Sequence, residues 1–219
     1  MLNVLCVRVG RKYSTDYVYK LKNMVERHLK QPHRFICLTD NVGQLPGIDC
    51  IAAPIQIADS WCKIGLFAPN HRLIEKGDKC LYLDLDVIIT GSLDKLIEGK
   101  LEKIPSYADN DMIDSKDLWI AKDWRDPFNS SVMYWVHPNK SRIYGQFEQS
   151  HVERLRGDQN LIAELMPDAK TFTPQDILSY KFSGVNKKDE KPKCKVVLFH
   201  GKPKMHDLPD VKWIKQEWK

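Results

Sequence analysis

Short apolar runs separated by polar turns open the chain, and this pattern predicts alternating strands and helices. The first run, Asn3–Val9, has the composition of a strand and ends at Gly10. An amphipathic helix follows, because apolar or aromatic side chains recur at helical spacing: Tyr17, Leu21, Met24, Val25 and His28. Pro32 ends this helix, and further strands are predicted at Arg34–Leu38 and Ile48–Ala52. Strand, helix and strand at this spacing predict a parallel βαβ unit.

The rest of the chain continues the alternation. Further strands are predicted at Lys79–Asp84, Ile104–Ala108, Asn129–Trp135 and Val196–Gly201. Short helices or single helical turns are predicted at Ser60–Pro69, Leu93–Leu96, Asp158–Leu165 and in the tail Pro209–Lys219. Neither an internal repeat nor a long linker divides the sequence. We therefore expect a single α/β domain that covers residues 1–219.

Two carboxylates interrupt the most apolar part of the sequence. In KCLYLDLDVIITGSL, residues 79–93, Asp84 and Asp86 stand between two apolar runs. A buried carboxylate without a partner costs several kcal/mol, or its pKa rises until it is neutral. If the strand ends near Asp84, both acids can bind one divalent cation at its carboxyl end, where open α/β sheets bind ligands. The alternative is that both are solvated, or paired with arginine or lysine.

Composition excludes several classes of protein. An apolar content of 42% with 10% aromatic residues is enough for a folded core. No apolar stretch approaches the roughly 20 residues of a membrane span, and the first residues lack the cleavage site of a signal peptide. The six cysteines have neither C-x-x-C nor zinc-ligand spacing, so we expect reduced thiols in a cytoplasmic protein. The net charge of +5 modestly favours an anionic partner.

Four separated motifs occur in an order that resembles a known family. They are the stretch Leu81–Leu93, NSSVMYW at Asn129–Trp135, GDQNLI at Gly157–Ile162 and FHGK at Phe199–Lys202. Together with Trp61–Phe67, they resemble the small retaining GT-A glycosyltransferases of family eight, the glycogenin and galactosyltransferase group, and short glycosyltransferases of chloroviruses and phages. The resemblance spans nearly the whole chain and implies one GT-A domain, Rossmann-like, with a mixed, mostly parallel central sheet flanked by helices. FHGKPK is compressed relative to the family's H-x-x-G-x-x-K-P pattern, so Lys202 and Lys204 both remain candidates for the diphosphate contact.

The resemblance also implies an activity, the transfer of a sugar from a UDP-sugar to a hydroxyl acceptor with retention of configuration. Asp84, Asp86 and His200 are the implied ligands of Mn²⁺ or Mg²⁺, which would neutralise the diphosphate leaving group. Asp158 and Gln159 are the catalytic candidates, although an aspartate at this position is also an ordinary helix N-cap. The other candidates for contacts with the nucleotide or the sugar are Val7, Arg8, Tyr13, Asp40, Lys63, Leu85, Asp109, Asn129, Ser130, Gly201 and Lys202.

Structural roles remain open for several of these candidates. His200 can be a strand-end histidine that binds a backbone carbonyl, Asp40 an ordinary turn residue and Lys63 a solvated lysine. Tyr13 either stacks on the base or covers the first helix. Three tryptophans are candidates for an acceptor platform or for core filling: Trp119, Trp124 and Trp135.

The sequence leaves the acceptor open. Lysines crowd the stretch around His200: Lys181, Lys187, Lys188, Lys191, Lys193, Lys195, Lys202 and Lys204. They favour a polyanion, with DNA that carries hydroxymethylated pyrimidines as the specific candidate. The alternatives are a solvated loop with a glycan or lipopolysaccharide acceptor, or a nucleotide-sugar-binding domain without catalysis. The identity of the sugar, the choice between retention and inversion, and the oligomeric state also stay open.

Overall fold

The computed structural model describes residues 1–55, 57, 59–101 and 118–219. Its strands are β1 (Leu2–Arg8), β2 (His33–Thr39), β3 (Asp49–Ala52), β4 (Lys79–Leu83), β5 (Val87–Ile89), β6 (Trp119–Lys122), β7 (Phe128–Val136), β8 (Lys170–Thr171), β9 (Ile177–Ser179) and β10 (Val196–Leu198). Its α-helices are α1 (Thr15–His28), α2 (Leu93–Ile97), α3 (Ser141–Gly145), α4 (Gln149–Arg154), α5 (Asp158–Leu165) and α6 (Lys212–Glu217). Short 3-10 helices cover Val42–Gln44, Asp59–Phe67, Val185–Lys187 and Met205–Asp207. The predicted strand Ile104–Ala108 lies outside the described residues.

A mixed sheet forms the centre of the fold. In the described part of the chain it has seven strands in the order β3-β2-β1-β4-β7-β6-β8. β1 is parallel to β2 on one side and to β4 on the other, whereas β7 is antiparallel to both of its neighbours. The predicted α/β fold with a mixed, mostly parallel sheet is thereby confirmed. Because the chain turns from β1 first towards β3 and later towards β4, the boundary between β1 and β4 is the kind of switch point where open sheets bind ligands.

Both faces of this sheet are covered, as buried parallel strands require. α1 packs against one face through the apolar stripe that its sequence predicts, with Tyr17 and Leu21 buried. The opposite face is covered by α3, α5 and the 3-10 helix Asp59–Phe67. Phe67 packs there against Trp135, with the ring centroids 5.0 Å apart. The sheet therefore lies between two apolar cores.

A second, smaller sheet is absent from the sequence predictions. Its described strands have the order β5-β10-β9, and Leu198 of β10 pairs with Val87 of β5. The amide of Phe199 extends the pairing by donating to the carbonyl of Asp86 at 3.0 Å. The predicted strand extends to Gly201, whereas β10 ends at Leu198, because Gly201 has a φ of +68° that is incompatible with a strand. The second sheet therefore holds Asp86 against the segment that contains the FHGK motif.

An irregularity in β7 directs polar residues towards the carboxyl end of β4. Ile120 of β6 pairs with Met133, but the next residue, Ala121, pairs with Asn129. Such register shifts re-aim side chains and are common beside active sites. Ser130 lies within the shifted stretch and lines the cavity described below.

Two further expectations concern the class of protein. All six cysteines are free thiols, as predicted, and all except Cys50 are buried. No helix among the described residues has both the length and the apolar character that crossing a membrane requires.

Candidate functional site

A cavity of about 790 Å³ opens at the carboxyl ends of β1, β2 and β4. All but two of the predicted site residues line it: Val7, Arg8, Tyr13, Asp40, Lys63, Asp84, Leu85, Asp86, Asn129, Ser130, Asp158, Gln159, His200 and Gly201. Of the remaining two, Asp109 lies outside the described residues. Lys202 is exposed and does not line the cavity, whereas Lys204 does.

Asp84 lies just beyond β4 and forms a largely buried ion pair with Lys63. The carboxylate is 2.8 Å from Lys63 Nζ, and the two side chains are 16% and 12% exposed. Tyr82 also donates its hydroxyl to Asp84. Burial alone would raise the pKa of Asp84, but the charge of Lys63 and the hydrogen bonds lower it, so the carboxylate stays ionised. Burial would likewise lower the pKa of Lys63, but the charges of Asp84 and Asp158 raise it. Its 12% exposure and its ion pair exclude the alternative of a solvated lysine.

Asp86 is 8% exposed, and two donors share its Oδ2 atom. Tyr13 donates its hydroxyl to this oxygen at 2.8 Å, and the ammonium group of Lys204 binds the same atom. Lys204 also donates to the carbonyl of Phe199 at 2.7 Å. These two contacts hold the Lys204 side chain in the cavity, whereas Lys202 is exposed. Burial, as the larger cause, and the charge of Asp86 both raise the pKa of Tyr13. The phenol therefore stays protonated and acts as a donor. Arg8 donates to the carbonyl of Tyr13 at 3.2 Å and so fixes the loop that carries the tyrosine.

His200 follows β10 and lies among aromatic rings at the edge of the cavity. Its Nε2 shares a hydrogen bond of 2.8 Å with Ser179 Oγ, a hydroxyl partner in place of the backbone carbonyl of the alternative interpretation. The Trp124 ring stacks on the imidazole, with centroids 5.6 Å apart and an interplanar angle of 21°. Burial lowers the pKa of His200, so the imidazole is predominantly neutral at pH 7.

Asp158 begins α5 and is 2% exposed. Within the described part of the chain, its Oδ2 atom is buried without a hydrogen-bond partner. The helix N-cap is Gly157, so a capping role does not explain the aspartate. An unpaired buried carboxylate oxygen is costly, and such atoms often mark positions that a ligand or water completes. The neighbouring Gln159 donates to Asp126 Oδ2 at 3.0 Å.

The remaining predicted residues make contacts within the protein. Asp40 accepts a hydrogen bond from the amide of Gly10 at 2.9 Å, which ties the ends of β1 and β2 together. Asn129 donates to Asp123 Oδ2 at 3.1 Å and accepts from the amide of Ser131 at 3.0 Å. Its side chain therefore positions Asp123 and the β7 irregularity.

Several polar residues of the cavity belong to none of the sequence motifs: Ser60, Asp123, Asp126 and Arg156. Asp126 forms an ion pair with Arg156, and Asp123 accepts hydrogen bonds from the amides of Arg125 and Asp126 at 2.8 and 3.0 Å. An aspartate that accepts from amides two and three residues later is a frequent turn signal. The sequence thus allows the turn to be predicted, although the position of that turn beside the cavity depends on tertiary structure.

The lining includes the ligand types that a divalent cation needs. The carboxylates of Asp84 and Asp86 match the oxygen ligands that Mg²⁺ and Mn²⁺ prefer. Among residues 1–55, 57, 59–101 and 118–219, however, no three His, Cys, Asp or Glu side chains are arranged to hold a metal ion. Lys63 and Lys204 neutralise the two carboxylates instead. The donor types fit a hard cation, but the side chains would have to rearrange to bind one together.

Comparison with solved structures confirms the resemblance in fold. The galactosyltransferase LgtC, in complex with donor and acceptor sugar analogs, is 14% identical, with a TM-score of 0.64 over 98% of this chain and 94% of LgtC. A glycosyltransferase involved in the glycosylation of the major capsid of PBCV-1 is 13% identical, with a TM-score of 0.56 over 98% of both chains. The glycosyltransferase GlyE of Streptococcus pneumoniae TIGR4 is 17% identical, with a TM-score of 0.63 over 100% of this chain and 64% of GlyE. The chain thus has the GT-A fold. No protein-family model and no curated protein matches the sequence.

Proposed function

We propose that this chain is a glycosyltransferase that moves a sugar from a UDP-sugar to a hydroxyl acceptor. The observation that carries the proposal is the position of Asp84 and Asp86, at the switch point of the sheet and in one cavity with the unpartnered carboxylate of Asp158. A cavity of about 790 Å³ is large enough for such a donor, since small-molecule sites measure roughly 300–1,000 Å³. The fold supports the proposal, because LgtC was solved with donor and acceptor sugar analogs.

Cationic side chains in the cavity suit a diphosphate leaving group. Lys63, Lys204 and Arg8 all line the cavity. Negative charge grows on the diphosphate as the glycosidic bond breaks, and cations that are already in position stabilise that charge. Lys204 is the better candidate for this contact than Lys202, because it already binds a carboxylate oxygen in the cavity. Asp40, at the end of β2, is the candidate acceptor for the N3–H group of uracil.

The cation-binding role of His200 is supported by its hydrogen bond to Ser179. If the imidazole carries its proton on Nε2, it donates to Ser179 Oγ and leaves the Nδ1 lone pair free for a metal ion. A partner of this kind commonly orients metal-ligating histidines. Asp84, Asp86 and His200 would together hold Mn²⁺ or Mg²⁺. When bound, the cation would supply Lewis-acid neutralisation of the diphosphate.

Asp158 and Gln159 are the proposed residues at the transferred sugar. The unpartnered Oδ2 of Asp158 can accept a sugar hydroxyl, and the amide of Gln159 lies at the start of the same helix. We expect retention of anomeric configuration, as in the enzymes that the motifs resemble. We also propose that residues 1–219 act as one domain in the cytoplasm, since six free thiols suit a reducing compartment.

The experiment that tests the proposal measures UDP release from a panel of UDP-sugars, with Mn²⁺ or with EDTA. We expect release with Mn²⁺ and its loss in Asp86→Ala. The matched control is Asp16→Ala, because Asp16 is 61% exposed on α1 and does not line the cavity. Calorimetric binding of UDP without release from any UDP-sugar would refute the enzyme and favour a nucleotide-sugar-binding domain.

A further inference from the structure

Three aromatic rings form a cluster at the edge of the cavity, outside the proposed donor contacts of the two lysines. His200 lies 5.6 Å from Trp124 and 5.3 Å from Phe182, and Trp124 and Phe182 are 6.2 Å apart, all between ring centroids. Phe182 is 48% exposed, whereas His200 lines the cavity. The cluster thus presents a partly exposed aromatic ring beside His200 at the edge of the cavity.

Core packing does not explain the exposed ring. Phe182 belongs to neither of the two apolar cores that the described residues form. Its backbone is nevertheless held in place, because the amide of Phe182 donates to Ser179 Oγ at 3.1 Å. The same hydroxyl shares the hydrogen bond with His200. One serine hydroxyl thus binds both the backbone of the exposed phenylalanine and the ring of the cavity histidine.

We propose that Trp124 and Phe182 form the acceptor subsite and receive the apolar face of a sugar ring of a glycan. This inference rests on the proposed function and names its acceptor class. A pyranose presents C–H groups on one face, and their partial positive charge is attracted to the negative face of an aromatic ring. Stacking on Phe182 would hold the acceptor beside His200 and therefore at the mouth of the donor cavity.

Polar groups at the rim of the cluster match the hydroxyls at the edge of a sugar. The guanidinium of Arg125 lies over the Phe182 ring, with its central carbon 5.4 Å from the ring centroid, and its N–H groups offer donors beside the cluster. Asp123 lines the cavity and offers an acceptor. Burial alone would raise the pKa of Asp123, but hydrogen bonds from Asp126, Asn129 and Arg125 lower it, so it stays ionised. An aromatic face with a donor and an acceptor at its edge is suited to a carbohydrate.

The charges around the cavity favour a glycan over DNA. Three lysines of the basic stretch are ion-paired within the protein: Lys191 with Glu217, Lys195 with Asp176 and Lys204 with Asp86. These ammonium groups are neutralised and attract phosphates less strongly. The carboxylate of Asp123 also lines the cavity and would repel a phosphate backbone, whereas that of Asp126 is paired with Arg156. A neutral sugar meets no such repulsion.

The test compares Phe182→Ala, Phe182→Leu and Phe182→Tyr with the wild type. Leucine keeps apolar area without an aromatic face, whereas tyrosine keeps the ring. Val42→Ala is the control, because Val42 is a 54% exposed apolar residue that does not line this cavity. Saturation-transfer NMR with methyl galactoside, methyl glucoside and lactose measures binding independently of catalysis. UDP release with and without these sugars measures transfer and donor hydrolysis.

In the alanine and leucine variants we expect sugar affinity to fall, and the acceptor KM to rise, about tenfold. This corresponds to the roughly 1.4 kcal/mol that an aromatic contact contributes. Donor hydrolysis without acceptor should stay within about twofold of the wild-type rate. The tyrosine and control variants should bind like the wild type. Wild-type sugar binding in both the alanine and leucine variants would overturn the subsite.

Two further outcomes separate this inference from the proposed function. If the wild type releases no UDP from any donor, the proposed function fails, and Phe182-dependent binding of the methyl glycosides still decides the subsite. If transfer occurs to duplex DNA that contains 5-hydroxymethylcytosine and to none of the sugars, the glycan class is overturned even if the reaction depends on Phe182.

Discussion

Lys63→Met tests the ion pair at the end of β4. Methionine has a similar length but no charge, so the change leaves Asp84 largely buried without its cation. Removing one partner of a buried ion pair costs about 3–5 kcal/mol. Asp84 keeps hydrogen bonds from Tyr82 and Ser131, so we expect the lower end of that range, about 3 kcal/mol. For a chain of this size each kcal/mol changes Tm by roughly 2–4 °C, so Tm should fall by roughly 6–12 °C.

Urea unfolding at pH 7, followed by circular dichroism, measures this loss in a double-mutant cycle with Asp84→Asn. The double variant should be less destabilised than the sum of the two single variants, by about 2 kcal/mol. Lys22→Met is the matched control. Lys22 pairs with Glu26 on the surface of α1, where the side chains are 30% and 52% exposed. Its loss should cost below about 0.5 kcal/mol.

Two results would refute this reasoning. If Lys63→Met destabilises the protein no more than Lys22→Met does, the lysine is solvated and the pair does not organise the cavity. If the two single changes are additive, the side chains do not interact in solution, and the lowered pKa of Asp84 has another cause.

Three further predictions concern the cavity and the opposite end of the sheet. Asp158→Asn should lower UDP release at least about 100-fold and leave Tm nearly unchanged, because the lost carboxylate oxygen makes no hydrogen bond among the described residues; a large loss of stability with normal activity would contradict it. Asp86→Ala should remove the Mn²⁺-dependent part of UDP binding in a calorimetric titration, and unchanged affinity would exclude Asp86 as a ligand. Burial, and then the neighbouring His71, lowers the pKa of His137 to about 4. Below about pH 6.5 the unfolded chain therefore takes up a proton that the folded chain does not, and stability decreases by about 3 kcal/mol between pH 6.5 and 4. His137→Gln should flatten this decrease in chemical unfolding, and parallel pH profiles would contradict the assignment.

The sequence predicts elements whose pattern is long or strongly apolar. The predicted boundaries of β1, α1 and β4 agree with the structure to within about two residues, because each has a complete apolar run or helical stripe. The second sheet is different: its strand β10 is predicted as part of a longer apolar run, but β5 and β9 have only three residues each. A run of that length contains too few positions to show a period. Its pairing also depends on segments that are far apart in the sequence.

The same distinction holds for the site. Asp84, Asp86 and Asp158 follow or begin regular elements, so the motif spacing places them at one edge of the sheet. The platform ring of Phe182 lies in a loop, and its place beside His200 depends on a hydrogen bond to Ser179. No local pattern encodes that contact. Loop residues that reach the cavity only through tertiary contacts therefore cannot be predicted from the sequence.

The pairing of Val87 with Leu198 has a consequence for biosynthesis. A ribosome makes Asp86 long before His200, and the two are brought together only when β10 docks beside β5. Closing so long a loop carries a large entropic cost, which favours late formation of this contact during folding. A nascent chain can therefore assemble β1, β2 and β4 while the cavity is still incomplete. Acquisition of activity would then report the last step of folding, and weakened docking of β10 would abolish activity before the central sheet is lost.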